Sequence, residues 1–169
     1  MKEQQAKNKR YILSKEVAEK KLRRMALEVI ERNYDEEQLV LVGIKEKGII
    51  IARKINAYLK EVYKGEVIVT GLSLDKRNPS TVTIERAIDF NGKTVLLIDD
   101  VANSGKTMLY ALKPLLEALP KKIQTLALVE RTHKSFPVDV DYVGLSVSTT
   151  LDEHIVVEVE GDEVLGAWM

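Results

Sequence analysis

Apolar residues recur at helical spacing after Ser14: Val17, Ala18, Leu22, Met25, Ala26, Val29 and Ile30. That period predicts an amphipathic helix, capped by the Ser14 hydroxyl and running to about Asn33, with one face in the core. Tyr11-Ile12-Leu13 before it is a short extended piece. Residues 39–44 form an unbroken apolar run, the pattern of a strand covered on both faces. The polar loop Lys45-Glu46-Lys47-Gly48 leads into a second helix through about Glu61, with Ile51, Ala52, Ile55, Tyr58 and Leu59 as its buried stripe. Residues 67–74 predict another strand, residues 75–80 a polar break, and residues 81–84 the start of a hairpin arm returning near Ile88. Asn91-Gly92 signals a tight turn before a strand at 94–98. A helix over about 105–119 follows, kinked at Pro114, which lacks the N–H an internal helical position donates. Extended segments at 123–129, 142–147 and 155–159 complete the pattern.

Strands alternating with helices predict an α/β fold: one domain, a mostly parallel central sheet flanked by helices, with ligands at the C-terminal edge of the strands. A chain of 169 residues is long enough for one sizeable core. Residues 1–10 are polar and are expected to form a disordered tail ahead of a domain at 11–169. They do not resemble a signal peptide, and no apolar stretch approaches the roughly 20 residues that cross a bilayer, so a cytoplasmic protein with no membrane partner is expected. The 26 basic and 26 acidic side chains cancel, so no global field recruits a polyanion. There is no cysteine, which excludes thiolate catalysis and thiolate metal sites, and two histidines make a histidine-rich metal centre a poor candidate.

The chemistry concentrates at residues 95–107. Four apolar residues (Val95, Leu96, Leu97 and Ile98) deliver Asp99 and Asp100 to a strand end, and Val101-Ala102-Asn103-Ser104-Gly105-Lys106-Thr107 opens a helix. Carboxylates there can accept hydrogen bonds from a vicinal diol, while loop N–H groups and hydroxyls can grip a phosphate. Gly105-Lys106-Thr107 echoes the end of a nucleoside-triphosphate loop, but that motif needs a glycine where Asp100 stands. No Gly-x-Gly-x-x-Gly follows any strand, which excludes the common dinucleotide fingerprint. The acidic pair comes too late in the chain for a response-regulator receiver.

Residues 95–107 resemble the signature of type I phosphoribosyltransferases acting on 5-phosphoribosyl 1-pyrophosphate (PRPP). Residues 22–33, then Leu39-Val40-Leu41-Val42-Gly43-Ile44-Lys45, Gly48 and Ala52-Arg53, resemble the pyrimidine-operon attenuation regulator and uracil phosphoribosyltransferase family. So do Leu128-Val129-Glu130-Arg131-Thr132-His133-Lys134, Pro137 and Asp141-Tyr142-Val143-Gly144, and the likeness spans roughly residues 11–160.

The resemblance implies a type I fold with a small hood and a flexible loop. It makes Asp99 and Asp100 the catalytic pair that holds the ribose hydroxyls, directly or through water on Mg²⁺. Val101, Ala102, Asn103, Ser104, Gly105, Lys106 and Thr107 become the 5′-phosphate loop, and Lys45, Glu46, Lys47 and Gly48 the pyrophosphate loop. Arg77 would reach pyrophosphate from the flexible loop, although the Tyr-Arg-Asp-Asp-like stretch usual there is absent. Arg131, His133, Tyr142 and Val143 would bind the base. Related 6-oxopurine enzymes place an aspartate where Asn103 stands, and an amide cannot move a proton, so uracil is favoured over a purine as the acceptor. The implied partners are PRPP, a nucleobase and a second copy of the chain in a homodimer or higher homo-oligomer. An alternative is a nucleotide-sensing RNA-binding regulator, with Lys15, Lys20, Lys21, Arg23 and Arg24 contributing a basic face.

Overall fold

In the computed structural model, residues 9–150 and 153–169 are described. Of the expected tail, residues 1–8 lie outside the described residues, whereas Lys9 and Arg10 are held in place. The Arg10 N–H donates to the Met169 carbonyl at 3.0 Å, and the Arg10 carbonyl accepts the Met169 N–H at 2.9 Å.

Strand β1 (Tyr11–Ser14) opens the fold, and α1 (Lys15–Arg32) begins where the Ser14 hydroxyl accepts the Val17 N–H at 3.2 Å. Then come β2 (Gln38–Ile44), α2 (Lys47–Val62), β3 (Glu66–Leu74) and β4 (Val82–Ile84). Strand β5 (Thr94–Ala102) runs past the acidic pair, because β6 (Lys122–Arg131) pairs with it as far as Ala102↔Glu130. The predicted kinked helix is two short helices, α3 (Lys106–Ala111) and α4 (Lys113–Leu116), with Pro114 in the first turn of the second. The chain closes with β7 (Tyr142–Val147), β8 (Val156–Glu160) and β9 (Glu163–Trp168).

The main sheet has six strands in the order β4-β3-β2-β5-β6-β7, all parallel except the β3–β4 hairpin. Helices α1 and α2 cover one face, over Leu39, Leu41, Leu96, Ile98 and Leu126. Helices α3 and α4 cover the other, over Val40, Val42, Val95 and Leu97. Strand β2 is therefore buried on both faces, which accounts for its unbroken apolar run.

A three-stranded antiparallel sheet, β1-β9-β8, forms the hood. Strand β9 was not among the extended segments predicted above. It exists because Gly161, at φ 57°, turns β8 back on itself and because β1, from the far end of the chain, completes the sheet. Trp168 sits there between Tyr11 and Val156, with the Lys9 ammonium 5.0 Å from its ring centre.

This topology makes a crevice. Neighbouring strands β2 and β5 send their following helices to opposite faces of the sheet. The loops after them must therefore diverge, leaving a gap at the C-terminal edge where ligands of open α/β sheets bind.

Candidate active site

Asp99 and Asp100 sit at that gap, 3% and 8% exposed. The Asp100 N–H donates to Asp99 Oδ1 at 2.9 Å. Burial, and then the Asp100 carboxylate beside it, push the Asp99 carboxyl well above the usual carboxylate range, and Lys76 acts in the opposite direction.

The loop after β2 packs directly on this pair. A Cβ on Gly48 would lie 2.6 Å from the Ile98 carbonyl oxygen and 3.0 Å from Asp99 Cα, so only glycine permits the approach. Lys47 ties the loop to the hood through a 2.7 Å bond to the Val157 carbonyl. The Lys45–Glu46 peptide is cis.

After β5 the chain turns through Gly105, whose φ of 84° is left-handed and favours glycine. The Ser104 hydroxyl accepts the Lys106 N–H at 3.3 Å. The Ser104 carbonyl receives the N–H groups of Ser135 and Phe136, each at 3.0 Å. The segment after β6 thus braces the loop from behind by occupying that carbonyl.

These pieces enclose a cleft of about 270 Å³ whose walls include Lys47, Lys76, Asp99, Asp100, residues 101–105 and Thr107. Ile155 and Val156 close it from the hood side. A hollow of about 400 Å³ continues past Lys45, Glu46, Lys76 and Asp100. Carboxylates, hydroxyls, loop amides and two lysines converge here, a donor and acceptor set suited to a phosphorylated sugar. Of the loop residues expected here, Lys106 does not line the cleft.

Five further residues expected at the site lie outside the cleft. Tyr142 is fully buried under α1: its hydroxyl donates to Gln124 at 2.9 Å, accepts from Asn33 at 3.2 Å, and its ring lies 4.8 Å from the Arg32 guanidinium. Val143 lies level with Asp99 but two strands away, its carbonyl accepting from Arg24 at 3.0 Å. Arg131 donates to the Glu153 carbonyl at 2.6 Å and so pins the chain leading into the hood, while His133 is exposed and outside the cleft. For Tyr142 and Val143 the reason is strand direction: they open the parallel strand β7, and only the chain beyond its far end returns over the cleft. Arg77 also stands outside, exposed, its N–H bonded to Asp75 at 2.9 Å; its neighbour Lys76 faces the site.

Ile155, Val156, Lys76 and Met108 line the cleft although the sequence reading did not place them there. The signal for the first two was the apolar pair entering the last predicted strand just after the polar stretch 148–154.

A phosphoribosyl transferase domain model matches residues 11–163. The chain is 37% identical over 157 residues to the bifunctional protein PyrR of Ligilactobacillus salivarius, covering 86% of this chain and 87% of that one. It is 35% identical over 141 residues to a pyrimidine operon regulatory protein of Lactococcus lactis, covering 80% and 82%. Among solved structures, a hypoxanthine phosphoribosyltransferase from Trypanosoma cruzi superposes with a TM-score of 0.77 over 94% of each chain at 13% identity. A hypoxanthine-guanine phosphoribosyltransferase from Bacillus anthracis gives 0.75 over 94% and 96% at 18% identity. At such identities the superpositions show a shared fold and nothing finer.

Proposed function

Because this chain belongs to the phosphoribosyltransferase family, we propose that it transfers the phosphoribosyl group of PRPP to uracil, giving uridine 5′-monophosphate and pyrophosphate. The carrying observation is the convergence, at one crevice, of Asp99, Asp100, the loop at 103–107, Lys47 and Lys76. Asp99 and Asp100 accept hydrogen bonds from the ribose 2′- and 3′-hydroxyls. Loop amides with the Ser104 and Thr107 hydroxyls hold the 5′-phosphate, and the two lysines face the pyrophosphate. The C1–O bond to pyrophosphate breaks, a C1–N bond to the base forms, and the base loses its N–H proton. As C1 gains oxocarbenium character, the nearby carboxylates stabilise its charge.

Mg²⁺ fits this donor set. Among the described residues no third histidine, cysteine or carboxylate joins the pair in a ligand cluster, and Mg²⁺ keeps several waters and takes substrate oxygens rather than a protein cage. Asp99 and Asp100 would hold it, directly or through water, and it would neutralise pyrophosphate charge.

The base sits against Ile155 and Val156 in this reading. Uracil is supported by Asn103, an amide without a proton to exchange, and by the pyrimidine names of the relatives. A panel of uracil, orotate, hypoxanthine, guanine and xanthine with PRPP and Mg²⁺ tests it. Product from uracil alone supports the assignment; product from a purine keeps the fold and overturns the base.

The name of the Lactococcus relative also favours a second reading, a regulator of pyrimidine genes, for which the family resemblance implies RNA as the partner. The basic residues of α1 are largely compensated: Lys20 pairs with Glu16, Arg23 with Glu61 and Arg24 with Glu28, while Lys21 bonds the Gly144 carbonyl. RNA affinity that falls steeply with salt would support regulation, and absence of binding at low salt would remove it. We place the protein in the cytoplasm as a homo-oligomer. No helix among the described residues is long and apolar enough to cross a membrane, and Leu27 and Tyr34 expose apolar surface on and just beyond α1.

A further inference from the structure

Lys45 belongs to the loop assigned to pyrophosphate, yet its ammonium forms an ion pair with Glu85, a residue outside the loop and outside the cleft. Glu85 directly follows β4, on the return arm of the β3–β4 hairpin. Its N–H donates to the Gly71 carbonyl at 3.0 Å, and the Lys45 N–H donates to the neighbouring Leu72 carbonyl at 2.8 Å. The two side chains then meet across β3 at Gly71. A Cβ there would fall on the Glu85 carboxylate and within 2.9 Å of Lys45 Cε, so the missing side chain makes room for the pair.

We infer that Glu85 is an internal counter-anion for Lys45, competing with pyrophosphate for that ammonium and thereby weakening the hold on pyrophosphate and easing its release. The inference rests on the phosphoribosyl-transfer reading above. Both partners are more than a third exposed, so the pair is weak enough to exchange. Pyrophosphate carries more charge than one carboxylate and displaces it.

The test is calorimetric titration of pyrophosphate, with Mg²⁺ present, into the parent protein, Glu85→Gln, Lys45→Met and the double variant. Glu85→Gln keeps size and hydrogen bonding and removes only the charge. The expected result is roughly two- to fivefold tighter binding in Glu85→Gln, the scale of a half-exposed ion pair, shrinking as salt is raised. In the Lys45→Met background the same change should do nothing. A merely structural anchor would predict weaker binding on losing Glu85. Unchanged or weaker binding in Glu85→Gln, or an equal gain without Lys45, overturns the inference and leaves the site assignment standing. A parent protein that binds neither pyrophosphate nor PRPP overturns both, through the parent rather than the variant. Glu85→Ser repeats the measurement should the glutamine variant be poorly folded, with the same expected and overturning results.

Discussion

Asp99 Oδ1 accepts the backbone N–H of Asp100 at 2.9 Å, so one member of the acidic pair is oriented by the main chain of the other. Both carboxyls are nearly buried, and a buried pair of like charges is costly to hold. In the reaction proposed above, the ribose hydroxyls and Mg²⁺ would offset that cost.

Removing either carboxylate is expected to cut turnover steeply without unfolding the chain. Asp100→Ala should lower kcat/KM by about 10²–10³-fold, the scale of losing a preorganised electrostatic contact. Far-UV circular dichroism and the melting temperature should stay close to the parent values. Full activity in that variant would refute the assignment.

The raised carboxyl of Asp99 makes a pH prediction with a definite sign. A carboxyl whose folded-state pKa lies above its unfolded value imposes no penalty below the unfolded value. It destabilises increasingly as pH rises from there through the folded value. Asp99→Asn, measured without Mg²⁺, should therefore gain more melting temperature relative to the parent at pH 7 than at pH 4. An equal difference at both pH values would contradict the burial argument.

Gly48→Ala should damage the site through contact rather than charge. The new methyl would stand 2.6 Å from the Ile98 carbonyl oxygen, forcing the loop off Asp99. Overpacking of this kind costs about 1–3 kcal/mol. Denaturant unfolding should show that loss, and the KM for PRPP should rise together with it.

Ser104→Ala with Thr107→Ala should weaken PRPP binding with a smaller effect on kcat, since the hydroxyls grip the same phosphate in ground and transition states. Each lost hydrogen bond to a charged group is worth about 1.5–3 kcal/mol. Unchanged PRPP affinity in the double variant would count against the phosphate loop.

Two substitutions separate the base seat from the core. Tyr142→Phe should cost about 0.5–1.5 kcal/mol of stability by removing the hydroxyl's bonds to Gln124 and Asn33, which keep their bond to each other, with the KM for the base unaltered. Ile155→Ala should raise the KM for the base about tenfold, in line with the apolar contact it removes. The reverse pattern would restore Tyr142 to the site.

Much of this protein is written in local patterns. The Ser14 cap and the stripe from Val17 to Ile30 define α1, and the unbroken run in β2 announces a strand covered on both faces. The acidic pair and the loop expected to hold a phosphate, at 99–107, fall together at the crevice because those residues are contiguous in the chain. What could not be read was which distant segments share the crevice. Strand β9 depends on pairing with β1 from the opposite end of the chain. Tyr142 looked like a base contact, yet strand direction and the packing of α1 bury it. Ile155 and Val156 reach the cleft only because the hood folds back over the sheet edge, and Lys76 rather than Arg77 faces it because of how the β3–β4 arm turns. Periodicity, caps and contiguous motifs act over a few residues, where backbone sterics and side-chain chemistry decide the outcome. Which segments meet depends on burying whole faces across long loops, and that choice exists only once the sheet and its helices have packed.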